Sequence, residues 1–567
     1  MKRRFILWRW ILTVACCYGG TCPLTVACIG NSVTYGWVFK DEATNQAAWI
    51  DLQDALRNRT DFFTDGATMY SNKAAAVTIT DKIYGHIRGG FGGLQLPDLL
   101  TDNMVLQRDH PIRIWGKAIP RTRVSVRFMN WEKTAKTGAD GRWICTFPAS
   151  PAVAIPQQMT IETGKQKIQL HNLLIGDVWL CAGQSNMYFP VAQATGADSL
   201  LKQVGDVDGL RLFNFQPYAA TDNRSWTDQE LRKANELDFF SGHWQLNKEK
   251  AVAAFSAVGY LFGSRIQSET GVPIGLIEVA VGGSPLISWV SRSALESDGR
   301  FAPAFKNWRQ SDYIMKWCRE RAGMNLKHAS SSLQRHPYEP SFNFEAAIKK
   351  ILPYAIKGII WYQGESDAEN AERYQQLFPL FVTDWRKQWS ADLPFYYVQL
   401  SSLNRPTWNW FRDTQRRLLQ QLDNVGMVVT SDLGDRDDVH YKDKFPVGER
   451  LARLALHDTY AKHILYSGPL FRSVKKEGSE LLIFFQHDTG LATADGEDLR
   501  GFELMTESGT FLKAPARIVN NQIRITIPED VQIKAIAYAW EPFTRANLVN
   551  DAQLPASTFI EYLNEQH

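Results

Sequence analysis

Two kinds of hydrophobic pattern divide the chain. Residues 94–175 hold short apolar runs, several alternating with polar positions: Val105-Leu106, Ile112 to Trp115, Val124 to Phe128, Trp143 to Phe147 and Met159 to Glu162. Turn residues such as Gly138-Ala139-Asp140-Gly141 separate them, which predicts a small antiparallel β-sandwich. Residues 466–567 repeat that signature at Glu480 to Phe485, Ile523 to Ile527 and Ala535 to Trp540, a second all-β module. Between them, across residues 176–465, continuous apolar runs alternate with stretches of helical period. That alternation predicts βαβ units around a parallel sheet, and so an α/β domain flanked by β-modules. The helical stretches are Ala251 to Glu269, Ala371 to Trp389, Phe411 to Leu422 and Val447 to Leu456, the last with Pro446 at its start.

Four polar clusters each follow one of the apolar runs. Asp177 to Ala182 leads into Gly183-Gln184-Ser185-Asn186, and Ile274 to Val281 into Gly282-Gly283-Ser284. Ile356 to Tyr362 leads into Gln363-Gly364-Glu365-Ser366-Asp367, and Gly426 to Leu433 into Gly434 through His440. In a parallel sheet all strand C-termini lie along one edge, where ligands of open α/β folds bind. The four loops are therefore expected to share one cleft.

Each loop then has a chemical part to play. Ser185 is a weak nucleophile until a base takes its proton, and His440 is the candidate base. Asp437, three residues earlier, is placed to hold the histidine's tautomer and stabilise its imidazolium. The backbone N–H groups of Ser185 and Gly283, with the Gln363 amide as a third donor, form the expected oxyanion hole. One such donor contributes about 3–4 kcal/mol at the transition state. Each residue alone has a plainer reading: Ser185 as a helix cap, His440 as a loop histidine, the Gly pair as a tight turn, Glu365 and Asp367 as caps of the next helix. Their joint placement favours catalysis. A metal site built from Asp437, Asp438 and His440 is disfavoured, and no cofactor or metal is expected.

Composition narrows the class. The 567 residues are 44% hydrophobic and 22% charged with a net charge of +3, so two to four cores are expected and nucleic-acid binding has no electrostatic support. Met1-Lys2-Arg3-Arg4 followed by an apolar stretch to Tyr18 has the pattern of a secretory signal over residues 1–20, pointing to a periplasmic or extracellular protein with no membrane span. Cys16 is a weak lipoprotein cleavage site, because Thr13 stands where leucine is usual. Cys145, Cys181 and Cys318 are isolated, with no zinc-ligand spacing, and read as buried thiols. Cys28 to Gly36, with Ser32, looks like a second nucleophile block, but residues 28–90 are too few for an α/β hydrolase unit and hold no Asp-x-x-His; they read as a truncated, inactive segment.

Gly183-Gln184-Ser185-Asn186-Met187, Trp361-Tyr362-Gln363-Gly364-Glu365-Ser366, Pro273 to Ile277 with Gly282-Gly283, and Asp437 to His440 carry a family resemblance. So does Asp102 to Arg108, like the start of the family's β-sandwich. Over roughly residues 94–567 the chain resembles the sialate O-acetylesterases of the SGNH-hydrolase superfamily. The resemblance implies an SGNH-type, three-layer, parallel-sheet hydrolase domain that removes O-acetyl groups from sugars through an acetyl-serine, without cofactor. Asp367, Ser284 and Tyr441 depart from the family's usual Asn, Thr and Pro. In related acetylxylan esterases the carboxylate equivalent to Glu365 is the triad acid, so Asp437 has a rival. The substrate stays open: a sialic acid carboxylate calls for a cation, for which Arg412 is a candidate, whereas xylan-type acetates call for aromatic platforms such as Trp289, Trp361, Trp408 or Trp410. An inactive glycan-binding protein on the same fold is the alternative of another class; a lipase is disfavoured by the absence of Gly-x-Ser-x-Gly. Oligomeric state is not legible.

Overall fold

The computed structural model describes residues 93–205 and 209–563, with the backbone alone of four short strands between Ile11 and Asp51. The signal-like stretch and the side chains of residues 28–90, Ser32 among them, lie outside the described residues.

Seven strands form the part of the main sheet that carries the site: β1 (Gln166–Gly183), β2 (Leu210–Asn214), β3 (Trp244–Leu246), β4 (Ile274–Ala280), β5 (Gly358–Tyr362), β6 (Phe395–Val398) and β7 (Val425–Val428). Their order is β3-β2-β4-β1-β5-β6-β7, with every pair parallel except β3 on β2. β4 and β5 are buried at every position and β1 from Leu173 onward, as expected where helices cover both faces of a parallel sheet. Trp179 on β1 packs edge-on against Phe262 of helix α2 (Ala257–Thr270), while Trp361 on β5 packs against Phe381 of α3 (Ala371–Trp389) on the opposite face. The result is a mixed sheet layered between helices, an α/β domain.

β1 does double duty. Its first half pairs antiparallel with Val153–Thr163, among the β-rich N-terminal strands; its second half is the middle of the parallel sheet. Residue 175, read from sequence as a boundary, lies inside this strand. One hydrophobic core accordingly runs from Leu99 to Leu456. Beyond it, two four-stranded antiparallel sheets between Leu470 and Tyr562 enclose a separate core around Ile483, Phe502 and Phe559.

The helices follow the expected stretches with local adjustments. Ala251 to Glu269 is broken at Ser256, whose hydroxyl accepts from the Gly259 N–H and caps α2. The other two are α4 (Trp408–Arg417) and α5 (Phe445–Asp458). The chain reverses direction across the sheet at β1, which stands between β4 and β5; this switch point is where α/β folds open a crevice.

Candidate active site

The nucleophile turn follows directly from β1. Gly183 has φ +148°, and a Cβ there would lie 2.1 Å from the Tyr362 carbonyl oxygen, so only glycine lets β1 and β5 approach this closely before the chain turns. Gln184 then donates its N–H to that same carbonyl at 3.0 Å. Ser185 opens the short helix α1 (Ser185–Tyr188) as its first residue. Its N–H, like any first-turn amide, has no intrahelical acceptor, and its hydroxyl is partly exposed with no hydrogen-bond partner among the described residues.

Beside it lies the loop after β4. A Cβ on Gly282 would be 3.9 Å from Ser185 Cβ. The Gly282 carbonyl is turned away, accepting from Thr221 Oγ1 (2.6 Å) and Tyr338 Oη (2.7 Å). Gly283 has φ +71° with Trp317 and Tyr338 packed against its Cα, and its N–H is unpaired among the described residues. Behind it, Ser284 Oγ accepts from Trp289 Nε1 at 2.9 Å, and Cys318, a buried free thiol, lies under the Gly283 carbonyl.

The loop after β5 is buried. Gln363 is fully enclosed, and its amide nitrogen donates to the Ser284 carbonyl and to Asp367 Oδ2, so both amide hydrogens are engaged in holding the glycine loop. Asp367, whose other contact is the Leu286 N–H, is pushed up to about 6 by burial. Glu365 accepts from Asn186 Nδ2; its second oxygen is buried without a hydrogen-bond partner, and burial raises its pKa.

The histidine loop closes over the nucleophile turn. Asn186 Nδ2 donates to the Val439 carbonyl at 3.1 Å, and Thr195 N–H to Lys442 at 2.9 Å. His440, the residue after Val439, is exposed. Desolvation of its ring lowers its pKa; Asp438 opposes this, and the charges of Lys444, Arg321 and Arg405 reinforce it. Neither Asp437 nor Glu365 makes a hydrogen bond to His440. Asp437 is exposed, and the carboxylate that bears on the ring is its neighbour Asp438, which also accepts the His440 N–H at 2.8 Å.

Four of the five residues read from sequence as sugar contacts are placed elsewhere. Trp289 and Trp361 are fully buried and pack edge to face against each other, with no face left for a sugar. Arg412 is fully buried too, donating to the carbonyls of Ala539, Glu541 and Pro542 in the C-terminal module. Trp408 is likewise buried, whereas Trp410 is exposed against Trp540. The cations whose charges bear on His440 are Lys444, Arg321, stacked 4.7 Å over the Trp317 ring, and Arg405; neither arginine has a carboxylate partner among the described residues. Nothing in the local sequence of the two arginines marks them, because their charge reaches His440 only through the fold. Among the described residues no group of three or more His, Cys, Asp or Glu could hold a metal ion, and no helix is long and apolar enough to cross a membrane.

The geometry has counterparts in known proteins. A family model described as a carbohydrate esterase, sialic acid-specific acetylesterase, matches residues 175–457, from within β1 to the end of α5. The chain carries a sialic acid-specific acetylesterase domain. It is 27% identical over 505 residues to a sialate O-acetylesterase of Rattus norvegicus, covering 80% of this chain and 90% of that one. A Homo sapiens sialate O-acetylesterase is 26% identical over 527 residues, covering 84% and 94%. A crystal structure of a carbohydrate acetylesterase from Xanthomonas citri superposes with a TM-score of 0.68 at 28% identity, covering 82% of this chain and 99% of that one. The acetylesterase family match contains all four polar loops, from Ser185 to His440.

Proposed function

We propose that this protein is a serine esterase that removes O-acetyl groups from sugars through an acetyl-Ser185 intermediate. That it is a carboxylic ester hydrolase acting on sugar O-acetyl esters follows from its family and relatives. The serine mechanism rests on one observation above all: Ser185 sits at the switch point of the sheet, beside the Gly283 N–H, which is unpaired among the described residues, in a turn hydrogen-bonded through Asn186 to the loop of His440.

His440 accepts the Ser185 Oγ proton as Oγ attacks the acetyl carbonyl carbon. The tetrahedral oxygen is held by the Ser185 and Gly283 N–H groups. On collapse the C–O bond to the sugar breaks, and the imidazolium returns its proton to the departing sugar oxygen. Water then gives a proton to His440 and attacks the acetyl-serine, and acetate leaves as Oγ recovers its proton. Gln363, with both amide hydrogens engaged, supports the Gly283 loop rather than donating to the oxyanion.

Motif spacing names Asp437 as the acid; the charge that reaches the ring favours Asp438 as a second reading. Glu365, turned toward Asn186, is assigned to neither. Asp437→Asn and Asp438→Asn, compared by kcat on p-nitrophenyl acetate, rank the two readings; a larger loss with Glu365→Gln than with either overturns both.

For the substrate, the positive charges of Arg321 and Arg405 that bear on His440 support an anionic sugar, a sialate, over neutral xylan-type acetates. Acetate release from O-acetylated sialic acid should exceed that from acetylated xylan; the reverse result would reassign the substrate. We also read the β-rich modules flanking the catalytic domain as β-sandwiches, and the N-terminal stretch to Tyr18 as an export signal.

A further inference from the structure

Lys444 occupies an unusual place. It stands at the N-cap of α5, where a side-chain acceptor is the common choice and a positive charge meets the positive end of the helix dipole. Its side chain is fully buried. Enclosing an ammonium group costs several kcal/mol unless it is paired and hydrogen-bonded, and burial presses its pKa down to about 7 against the pull of Glu365, Asp438 and Asp443. A methionine would fill such a space at far lower cost.

The contacts of Lys444 lead straight to the hydrolytic turn. Nζ donates to Asn186 Oδ1 at 2.7 Å and lies 3.3 Å from the centre of the Tyr441 ring and 4.9 Å from that of Phe189. Asn186 follows Ser185 directly. Its amide oxygen is taken by Lys444, and its amide nitrogen by Glu365 Oε1 and the Val439 carbonyl, so every polar atom of its side chain is committed and its orientation is fixed. Val439 in turn precedes His440. The path Lys444–Asn186–Val439 therefore joins the residue after the nucleophile to the residue before the base, while Glu365 accepts from the same Asn186 amide nitrogen.

We propose that Lys444 is a positioning residue for this site: acting through Asn186, it locks the turn that carries Ser185 against the loop that carries His440, with Glu365 holding the other end of the Asn186 amide. The proposal rests on the assignment of Ser185 and His440 as nucleophile and base. It gives Glu365 a reason for being buried beside the site without a hydrogen bond to His440.

The test is a double-mutant cycle on kcat for p-nitrophenyl acetate with Lys444→Met, Asn186→Leu and the pair, with thermal melts recorded for each and Ser185→Ala run alongside. A displaced reacting group costs up to about 100-fold, so each single variant should lose kcat on that scale with KM changed less than about twofold. The double variant should lose no more than the worse single one, because both residues act through one link. Should Lys444→Met fail to fold, Lys444→Arg and Asn186→Ala carry the same cycle. Wild-type kcat in the Lys444 variant, losses that multiply in the pair, or a loss confined to KM each overturn the proposal. If Ser185→Ala keeps its activity, the underlying assignment fails instead; if Ser185→Ala is dead and the Lys444 variant is unimpaired, only the clamp fails.

Discussion

A Cβ added to Gly283 would lie 2.4 Å from the hydroxyl of Tyr338, the same hydroxyl that holds the Gly282 carbonyl at 2.7 Å. Tyr338 thus sets the direction of the peptide between the two glycines, and with it the aim of the Gly283 N–H. Gly283→Ala cannot keep φ at +71° without strain, nor fit between Tyr338 and Trp317. Its kcat should fall by roughly 100–1000-fold, the scale of losing one oxyanion donor, with a far smaller change in KM. Steady-state kinetics on p-nitrophenyl acetate measure the split.

The base should titrate below the usual imidazole value. Desolvation lowers the His440 pKa from 6.5, with Lys444, Arg321 and Arg405 adding to the effect and Asp438 opposing it. Neutral imidazole is the working form, so kcat/KM should rise with pH to a plateau along a limb centred below 6.5. Asp438→Asn removes the charge that favours imidazolium and should move the limb to lower pH; Arg405→Gln should move it higher. A pH–rate profile of the three enzymes reads both directions.

Stability has its own pH signature in Glu278. This β4 carboxyl is buried against Cys181 of β1, accepts the Ser256 N–H, and is raised by burial to about 8. Its folded pKa lies above the ordinary 4.5, so its contribution is fully present below pH 4.5 and is lost as pH rises toward 8. Glu278→Gln removes that dependence. The variant's melting temperature should match wild type near pH 4.5 and exceed it at pH 8, read from melts across the range.

Arg412 marks the junction with the C-terminal module. Its guanidinium has no carboxylate partner among the described residues, its pKa is lowered to about 9 by burial, and it donates to the carbonyls of Ala539, Glu541 and Pro542. Arg412→Leu leaves those carbonyls without a donor and should cost about 2–4 kcal/mol of stability. KM for an O-acetylated sugar should stay as in wild type, since no atom of Arg412 faces the cleft.

The adjacency of three of the candidate loops was legible because strands of a parallel sheet end along one edge. The apolar runs before Ser185, Gly283 and Gln363 became β1, β4 and β5, side by side in the sheet. What was not legible depends on contacts across long separations. Trp289 and Trp361 look like sugar platforms in sequence, yet each fills the layer between sheet and helices. Arg412 has a surface residue's composition and a buried residue's partners, supplied by a loop some 130 residues further on. Lys444 sits four residues after His440, where a charged side chain reads as solvated; only the folded chain shows Asn186 waiting for it. The double role of β1 was hidden as well, because Gln166 to Asn172 alternates and the buried run starts only at Leu173, a change of pattern that reads as a boundary between two elements.

The central claim is that Ser185 carries the acetyl group between the two half-reactions. Rapid-quench mixing with p-nitrophenyl acetate at acid pH, where a protonated His440 deacylates slowly, followed by peptide mapping, locates that group. The account predicts one acetyl on the peptide containing Ser185, absent in Ser185→Ala. An acetyl on any other residue, or turnover with Ser185→Ala at the wild-type rate, would contradict it.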